Sequence, residues 1–209
     1  MPDLLAGSAA QRLPLPDADL LLWQQADLGL AYDRLLQQLI EETDWRQERI
    51  TVYGKPYLQP RLSSWYGDFA YSYSGIRLEP SPWTPTLQQI RKRVEALTRL
   101  RFNSVLLNYY RDEHDGMGMH SDDEPELGPR PAIASISLGE ERDFILRHRQ
   151  RKHPGTVKLP LPSGSLLLMQ GDTQRYWRHG INKLRRRCGP RVNLTFRRII
   201  AGTPREVRV

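Results

Sequence analysis

A few residues in this 209-residue chain have the types and spacing to hold a metal ion. His120 and Asp122 stand two apart, directly after Asp115-Gly116-Met117-Gly118-Met119. In an extended segment, positions i and i+2 project to the same face, so imidazole and carboxylate could grip one ion there. His179, in Trp177-Arg178-His179-Gly180, is the best-placed third donor. Two imidazoles and one carboxylate form a facial triad that suits iron(II) and leaves coordination positions open for substrate and oxygen. Taken alone, His-x-Asp is common by chance and reads more readily as a hydrogen-bonded surface pair. His114, His148 and His153 lie in polar, basic or turn-rich contexts and read as solvated or phosphate-side residues.

Shortly after His179 the chain alternates strictly through Arg191-Val192-Asn193-Leu194-Thr195-Phe196-Arg197. As a strand, this puts Arg191, Asn193, Thr195 and Arg197 on one side and Val192, Leu194 and Phe196 on the other, toward a core. Two guanidiniums on an inner face are costly unless anions pair with them. A dicarboxylate would answer that need, because the planar fork of arginine binds a carboxylate bidentately. An edge strand with its arginines in water explains the alternation too, though not its position just after His179.

These residues need a scaffold. Leu35, Leu36, Leu39 and Ile40 recur at helical spacing between Ala31 and about Thr43, and Leu87, Ile90, Val94 and Leu97 do so over Thr86–Arg99. Residues 51–79 mix Tyr, Trp, Gly and Ser in the manner of short strands and turns. After residue 100 come short strand-like runs, Ser104–Tyr110, Ala132–Leu138, Asp143–His148, Thr156–Leu159, Ser165–Gln170 and Arg191–Ile199, separated by Gly, Pro, Asp and Ser turns. Helices followed by evenly spaced strands predict an α+β chain whose core is a β-sandwich or a jelly roll. Residues 1–30 read as an arm laid on it.

Composition narrows the function classes. Cys188 is the single cysteine, which excludes an intramolecular disulfide and a cysteine-based zinc finger. No apolar run approaches the ~20 residues of a membrane helix. The start, Met1-Pro2-Asp3-Leu4, lacks the basic and long apolar regions of a secretory signal, so an intracellular protein without membrane partners is expected. The net charge of +7 divides unevenly: residues 1–139 hold 14 Lys+Arg against 19 Asp+Glu, whereas residues 140–209 hold 17 against 5. A surplus so confined marks either a face for a polyanion or a merely solvated basic surface.

With these residues in view, the chain resembles the AlkB-type Fe(II)/2-oxoglutarate-dependent dioxygenases, in particular the double-stranded-DNA repair branch of the human nuclear type. The resemblance runs from about Ile50 to Ile199. It is carried by Asn108-Tyr109-Tyr110-Arg111-Asp112, His120-Ser121-Asp122-Asp123-Glu124, Ile133 through Gly139, Arg142-Asp143-Phe144, Leu159 through Leu166, and Pro190–Arg197. It implies a double-stranded β-helix core (100–200) with N-terminal helices and a β-hairpin nucleotide-recognition lid (50–82). Residues 46–209 would form the single dioxygenase domain and residues 1–45 an N-terminal extension with a helix.

Position by position, the resemblance implies Fe(II) on His120, Asp122 and His179, with molecular oxygen as oxidant. It implies 2-oxoglutarate held by Asn108 and Tyr110, with Arg191 on its distal carboxylate and Asn193, Thr195 and Arg197 lining the pocket. Asp123 falls on the residue that reads the exocyclic edge of the damaged base, and Tyr71, Ser72 and Tyr73 on the segment that sandwiches it. Val52, Tyr53, Gly54 and Lys55 match the hairpin that fills the hole left by the extruded base. Lys183, Arg185, Arg186 and Arg187 match a loop contacting the nucleic-acid backbone; Arg147–His153 is a second basic cluster. The implied activity is demethylation of N1-methyladenine and N3-methylcytosine in alkylated DNA, with succinate and formaldehyde released. RNA demethylation, protein hydroxylation and non-catalytic DNA binding are the rival readings. A monomer is expected, cytoplasmic and nucleoid-associated in a bacterium or nuclear in a eukaryote.

Overall fold

The alternation at residues 191–197 depends on two different environments, and the computed structural model provides both. It describes residues 9–52, 55–73, 76–150 and 152–200. In chain order the elements begin with β1 (Gln11–Leu13), β2 (Asp19–Trp23), α1 (Tyr32–Glu42), β3 (Arg49–Val52) and β4 (Lys55–Leu58). Next are β5 (Leu62–Gly67), β6 (Tyr71–Tyr73), β7 (Ile76–Leu78), α2 (Pro85–Thr98), β8 (Ser104–Tyr110) and β9 (Met117–His120). Last are β10 (Ile133–Gly139), β11 (Arg142–His148), β12 (Thr156–Leu161), β13 (Leu166–Gln170), α3 (Thr173–Tyr176), β14 (Trp177–Ile181) and β15 (Arg191–Arg197).

Local chemistry sets the helix ends. Thr84 accepts the Leu87 N–H at 3.2 Å, Pro85 starts α2 with its φ already helical, and Arg99 stops it in the left-handed region at φ 58°. Leu35, Leu36 and Leu39 are buried on α1, and Leu87, Ile90 and Val94 on α2.

A seven-stranded sheet runs β1-β2-β13-β10-β15-β8-β5 and a four-stranded sheet β12-β11-β14-β9. One face of the large sheet lies under the helices, where Val105, Leu107, Ile136, Val192, Leu194 and Phe196 join the helical leucines in one core. Its other face shares a second core with the small sheet, in which Leu106, Ile133 and Leu167 meet Phe144, Leu146 and Trp177. This is a jelly-roll sandwich, one of the two cores the strand spacing left open and the one the resemblance implied. Pro160, which lacks the N–H a ladder needs, sits in β12 at a sheet edge, where that loss costs least.

Besides β9, which lies in a glycine-rich stretch, three strands escaped the sequence reading. Residues 11–13 and 19–23, expected within an N-terminal extension, enter the large sheet, with β2 pairing β13 from Leu166↔Trp23 to Gln170↔Asp19. β14 (Trp-Arg-His-Gly-Ile) is too polar to show alternation, and the strand is set by its partners instead. The ribbons β3–β4 and β6–β7 stand apart from both sheets as two-stranded units. Tyr53 and Gly54, between β3 and β4, lie outside the described residues.

Phe196, with no exposed surface, anchors the helix-covered core. Phe196→Ala is expected to cost about 3–5 kcal/mol in denaturant unfolding. Leu58→Ala, at a residue 54% exposed on the β3–β4 ribbon, should change stability by less than about 0.5 kcal/mol.

Candidate metal centre and cofactor pocket

The metal triad is assembled by strand pairing. β14 pairs β9 with His179 directly opposite His120, and a bulge follows before Ile181. The two rings meet edge to face with centroids 4.3 Å apart. Close approach of the strands depends on Gly180, where a Cβ would stand 2.8 Å from the Met117 carbonyl oxygen. Asp122 follows β9 by two residues. Its Oδ1 is 3.9 Å from His120 Nε2 and its Oδ2 is 3.8 Å from His179 Nε2. One ligand atom from each residue can be chosen so that all lie within 4.8 Å of one another.

Each candidate ligand is held by a neighbour. His120 Nδ1–H donates to the Gly118 carbonyl at 2.9 Å, which fixes the tautomer and turns the Nε2 lone pair toward Asp122. The His179 ring stacks on Phe144 at 5.0 Å. Asp122 N–H donates to Gln174 Oε1 at 3.0 Å, and Arg197 Nη2 donates to Asp122 Oδ1 at 2.8 Å. Arg197 and Asp122 are both about fully buried, with 2% and 1% of their side chains exposed.

Electrostatics prepares these groups for a cation. Burial, reinforced by His120, pushes the His179 imidazole down to about 3, so it is neutral and able to ligate at neutral pH. Burial lowers His120 as well. Burial alone would raise the Asp122 carboxyl, but Arg197 and the two imidazoles outweigh it and hold it far below the usual carboxylate range. Its Oδ2 is buried without a hydrogen-bond partner. Two neutral imidazoles and a carboxylate with an open buried oxygen fit Fe(II).

Beside the triad is a cavity of about 410 Å³, mouth included, lined by all three ligands and by Asn108, Tyr110, Arg191, Asn193, Thr195 and Arg197. The register explains why they converge. β15 pairs β8 with Arg191 opposite Tyr110 and Asn193 opposite Asn108, so alternate residues of both strands face the same interior. Arg191 is 1% exposed; its Nη2 donates to Ser137 Oγ at 2.9 Å, and its Cζ lies 5.1 Å from the Tyr110 ring centroid. Burial lowers its pKa, while Nε and Nη1 have no hydrogen-bond partner. A buried guanidinium with two open donors is a fitting seat for a carboxylate, which matches the dicarboxylate inferred from the alternation.

Several supporting residues were missed. Ser135 Oγ accepts from Asn193 Nδ2 at 2.8 Å; with Ser137 it forms a polar face on β10 that Ile133-Ala134-Ser135-Ile136-Ser137 shows in retrospect. Arg61, 4% exposed, donates through Nε to Asn108 Oδ1 at 2.8 Å. Arg142, 2% exposed, donates through Nη2 to the carbonyls of Asp115 (3.0 Å) and Asn182, tying together the loops that flank β9 and β15. Its place in Arg142-Asp143-Phe144, a segment carrying the resemblance, did not reveal this role.

The remaining predicted residues lie at the rim or beyond. Asp123 is largely exposed, and its Oδ2 accepts from Arg149 Nη2 at 2.8 Å. Lys183, Arg185, Arg186 and Arg187 form an exposed loop, in which Glu140 Oε1 accepts from Arg186 Nη2 at 2.8 Å. Val52 closes β3 opposite Lys55, and Tyr71-Ser72-Tyr73 is the strand β6. His148 corrects the reading of a solvated histidine. It is 5% exposed, accepts the Gln150 N–H on Nδ1, and lies 3.2 Å from Asp17 Oδ2 and 5.0 Å from the Trp177 ring. The flanking arginines concealed an inward-facing strand position.

Fold and site together define a jelly-roll protein with a mononuclear metal triad over a buried arginine. Residues 30–197 match the model of the 2OG-Fe(II) oxygenase superfamily. Mouse alpha-ketoglutarate-dependent dioxygenase alkB homolog 3 is 43% identical over 184 residues, covering 83% of this chain and 64% of that protein. Human DNA oxidative demethylase ALKBH2 is 42% identical over 179 residues, covering 80% of this chain and 69% of that protein. The solved structure of OsALKBH1 shares the fold at 18% identity, with a TM-score of 0.59 over 91% of this chain and 100% of that one. The chain belongs to the 2OG-Fe(II) oxygenase superfamily and is of the AlkB type. It spans about three fifths of the length of alkB homolog 3, 64% in mouse and 61% in human.

Arg197→Met should weaken binding of Fe(II) or Mn(II) by about 10–100-fold, as expected when a partner orienting a ligand is removed. Calorimetric titration of metal-free protein measures this, with circular dichroism as the check on folding. Unchanged affinity would detach Arg197 from the metal centre.

Proposed function

We propose that this chain is a Fe(II)- and 2-oxoglutarate-dependent oxidative demethylase of DNA, acting on bases of the N1-methyladenine and N3-methylcytosine kind. The observation that carries the reading is a metal triad and an open-handed buried arginine sharing one cavity, in a chain 42% identical to human DNA oxidative demethylase ALKBH2. His120, Asp122 and His179 would hold the iron, and Arg191 the far carboxylate of the co-substrate, with Asn108, Tyr110, Asn193, Thr195 and Arg197 completing the seat. When bound, iron and 2-oxoglutarate use O₂ to hydroxylate the N-methyl carbon, with succinate and CO₂ formed from the co-substrate and formaldehyde released as the hydroxymethyl group breaks down.

The chain's own residues orient and desolvate. Arg197 keeps Asp122 ionised and fixed, and Arg61 holds the Asn108 carboxamide in place by donating to its oxygen. Phe144 closes one side of His179 against water. The cofactor supplies the oxidation, so no protein nucleophile is needed. Reaching a paired base requires flipping it out at a cost of a few kcal/mol, least for a damaged base. In this reading Tyr53, with Val52, Gly54 and Lys55 around it, fills the vacated hole. Tyr71, Ser72 and Tyr73 hold the flipped base, at about 1–3 kcal/mol per stacked base, and Asp123 accepts from its exocyclic edge. Lys183, Arg185, Arg186 and Arg187 would contact phosphates.

The test is purified protein with Fe(II), 2-oxoglutarate and methylated oligonucleotides, offered as single- and double-stranded DNA and as RNA. Formaldehyde and repaired base are expected from DNA; turnover of RNA alone would redirect the reading to RNA, and no product from any form would end it. His120→Ala should abolish turnover and leave DNA affinity nearly intact. Replacing Arg185, Arg186 and Arg187 together by Ala should weaken DNA binding and flatten its salt dependence, by a slope of about 0.9 for each phosphate no longer neutralised. An unchanged slope would remove the loop from the interface.

A further inference from the structure

Asp122 and Asp123 are consecutive, yet the first has 1% of its side chain exposed and the second 56%. The backbone between them is pinned from within. Ser121 Oγ donates to the Trp177 carbonyl at 2.7 Å, and Asp122 N–H to Gln174 Oε1 at 3.0 Å. Pinning of this kind places the Cα of Asp123 but leaves its carboxylate free to turn about Cα–Cβ. Arg149 removes that freedom. Its own backbone is set by an N–H donated to the Tyr176 carbonyl at 2.8 Å, continuing the β11–β14 ladder. Its Nη2 then reaches both Asp123 Oδ2 and Ser121 Oγ at 2.8 Å. One nitrogen clasps the rim carboxylate to the segment carrying the ligand Asp122. An ion pair so exposed contributes little to folding, so its effect is on orientation.

A carboxylate only accepts hydrogen bonds. With Oδ2 engaged by Arg149, Oδ1 is the oxygen left open at the rim. Adenine methylated at N1 and cytosine methylated at N3 still present an amino group, a donor, on the adjacent carbon. At that same ring position, C6 of the purine or C4 of the pyrimidine, guanine methylated at N1 and thymine methylated at N3 present a carbonyl oxygen instead; the amino group of guanine is at C2, on the opposite side of N1. A carboxylate held in place accepts from the first pair and opposes the second, lone pair against lone pair. A carboxylate free to rotate turns away from the second at little cost. We infer that Arg149 is a positioning residue for base selection: by fixing Asp123 it makes the site favour amino-bearing over carbonyl-bearing alkylated bases. This rests on the proposed reading of Asp123 as the base-edge acceptor.

The experiment measures kcat/KM on two oligonucleotides that differ only in the lesion, N1-methyladenine or N1-methylguanine, so that backbone contacts cancel in the ratio. Arg149→Met is expected to lower the adenine-to-guanine preference by about tenfold, the lower end for removing one discriminating interaction. The change should come through KM for the methyladenine substrate, with KM for 2-oxoglutarate unchanged and partial recovery in Arg149→Lys. Equal loss on both lesions would make Arg149 a backbone or folding residue and overturn the inference. So would an unchanged ratio in Arg149→Met when Asp123→Asn collapses it. An unchanged ratio in Asp123→Asn would instead remove the reading of Asp123, and the inference with it.

Discussion

A guanidinium and a carboxylate, both sealed from water, meet at 2.8 Å where β15 passes beneath the turn after β9. Removing two charges from water costs several kcal/mol each unless every polar atom finds a partner. Arg197 belongs to the large sheet and Asp122 follows a strand of the small one, so the pair also joins the two layers at the mouth of the sandwich. The second oxygen of Asp122 is unsatisfied within the protein, and two imidazoles kept neutral by burial stand beside it. The pair therefore leaves one carboxylate oxygen and two neutral ring nitrogens with unshared lone pairs at one defined point, which is the condition for capturing a cation there.

The rest of the sandwich protects that point. One face of β15 is aliphatic and aromatic against the helices; the other is Arg, Asn, Thr and Arg against the cavity. A strand with both faces buried normally reads as a continuous apolar run. This one departs from that rule because one of its faces lines the cavity rather than the apolar core. Serines on β10 accept hydrogen bonds from Arg191 and Asn193 on that face.

How much of this was legible depended on the range of each cause. Helix ends are set within a turn by Thr84, Pro85 and the leucine spacing, and both helices could be read to within a residue or two. The two faces of β15 follow from alternation alone. His120, Asp122 and His179 were found as residue types at suggestive spacing, but their convergence comes from the β9–β14 register, which is a long-range fact. Arg61, Ser135, Ser137, Arg142 and Arg149 act through partners 26 to 58 positions away, so even where a local motif contained them it did not reveal what they hold. His148 misled because its neighbours Arg147 and Arg149 project outward while it points in.

The pairing of β2 with β13 has a consequence for solubility. β13 contributes Leu166, Leu167, Leu168 and Met169, all buried, to the two cores. Were it the last strand of its sheet, it would offer a bare ladder of amides flanked by leucines, the kind of edge along which chains stack on one another. β2 takes up that ladder, and the sheet ends instead at β1, three residues long, with Gln11 and Arg12 exposed and Arg12 paired to Asp19 at 2.9 Å. The N-terminal strands act as a guard rail, closing the sandwich on its most adhesive side with a short, charged border.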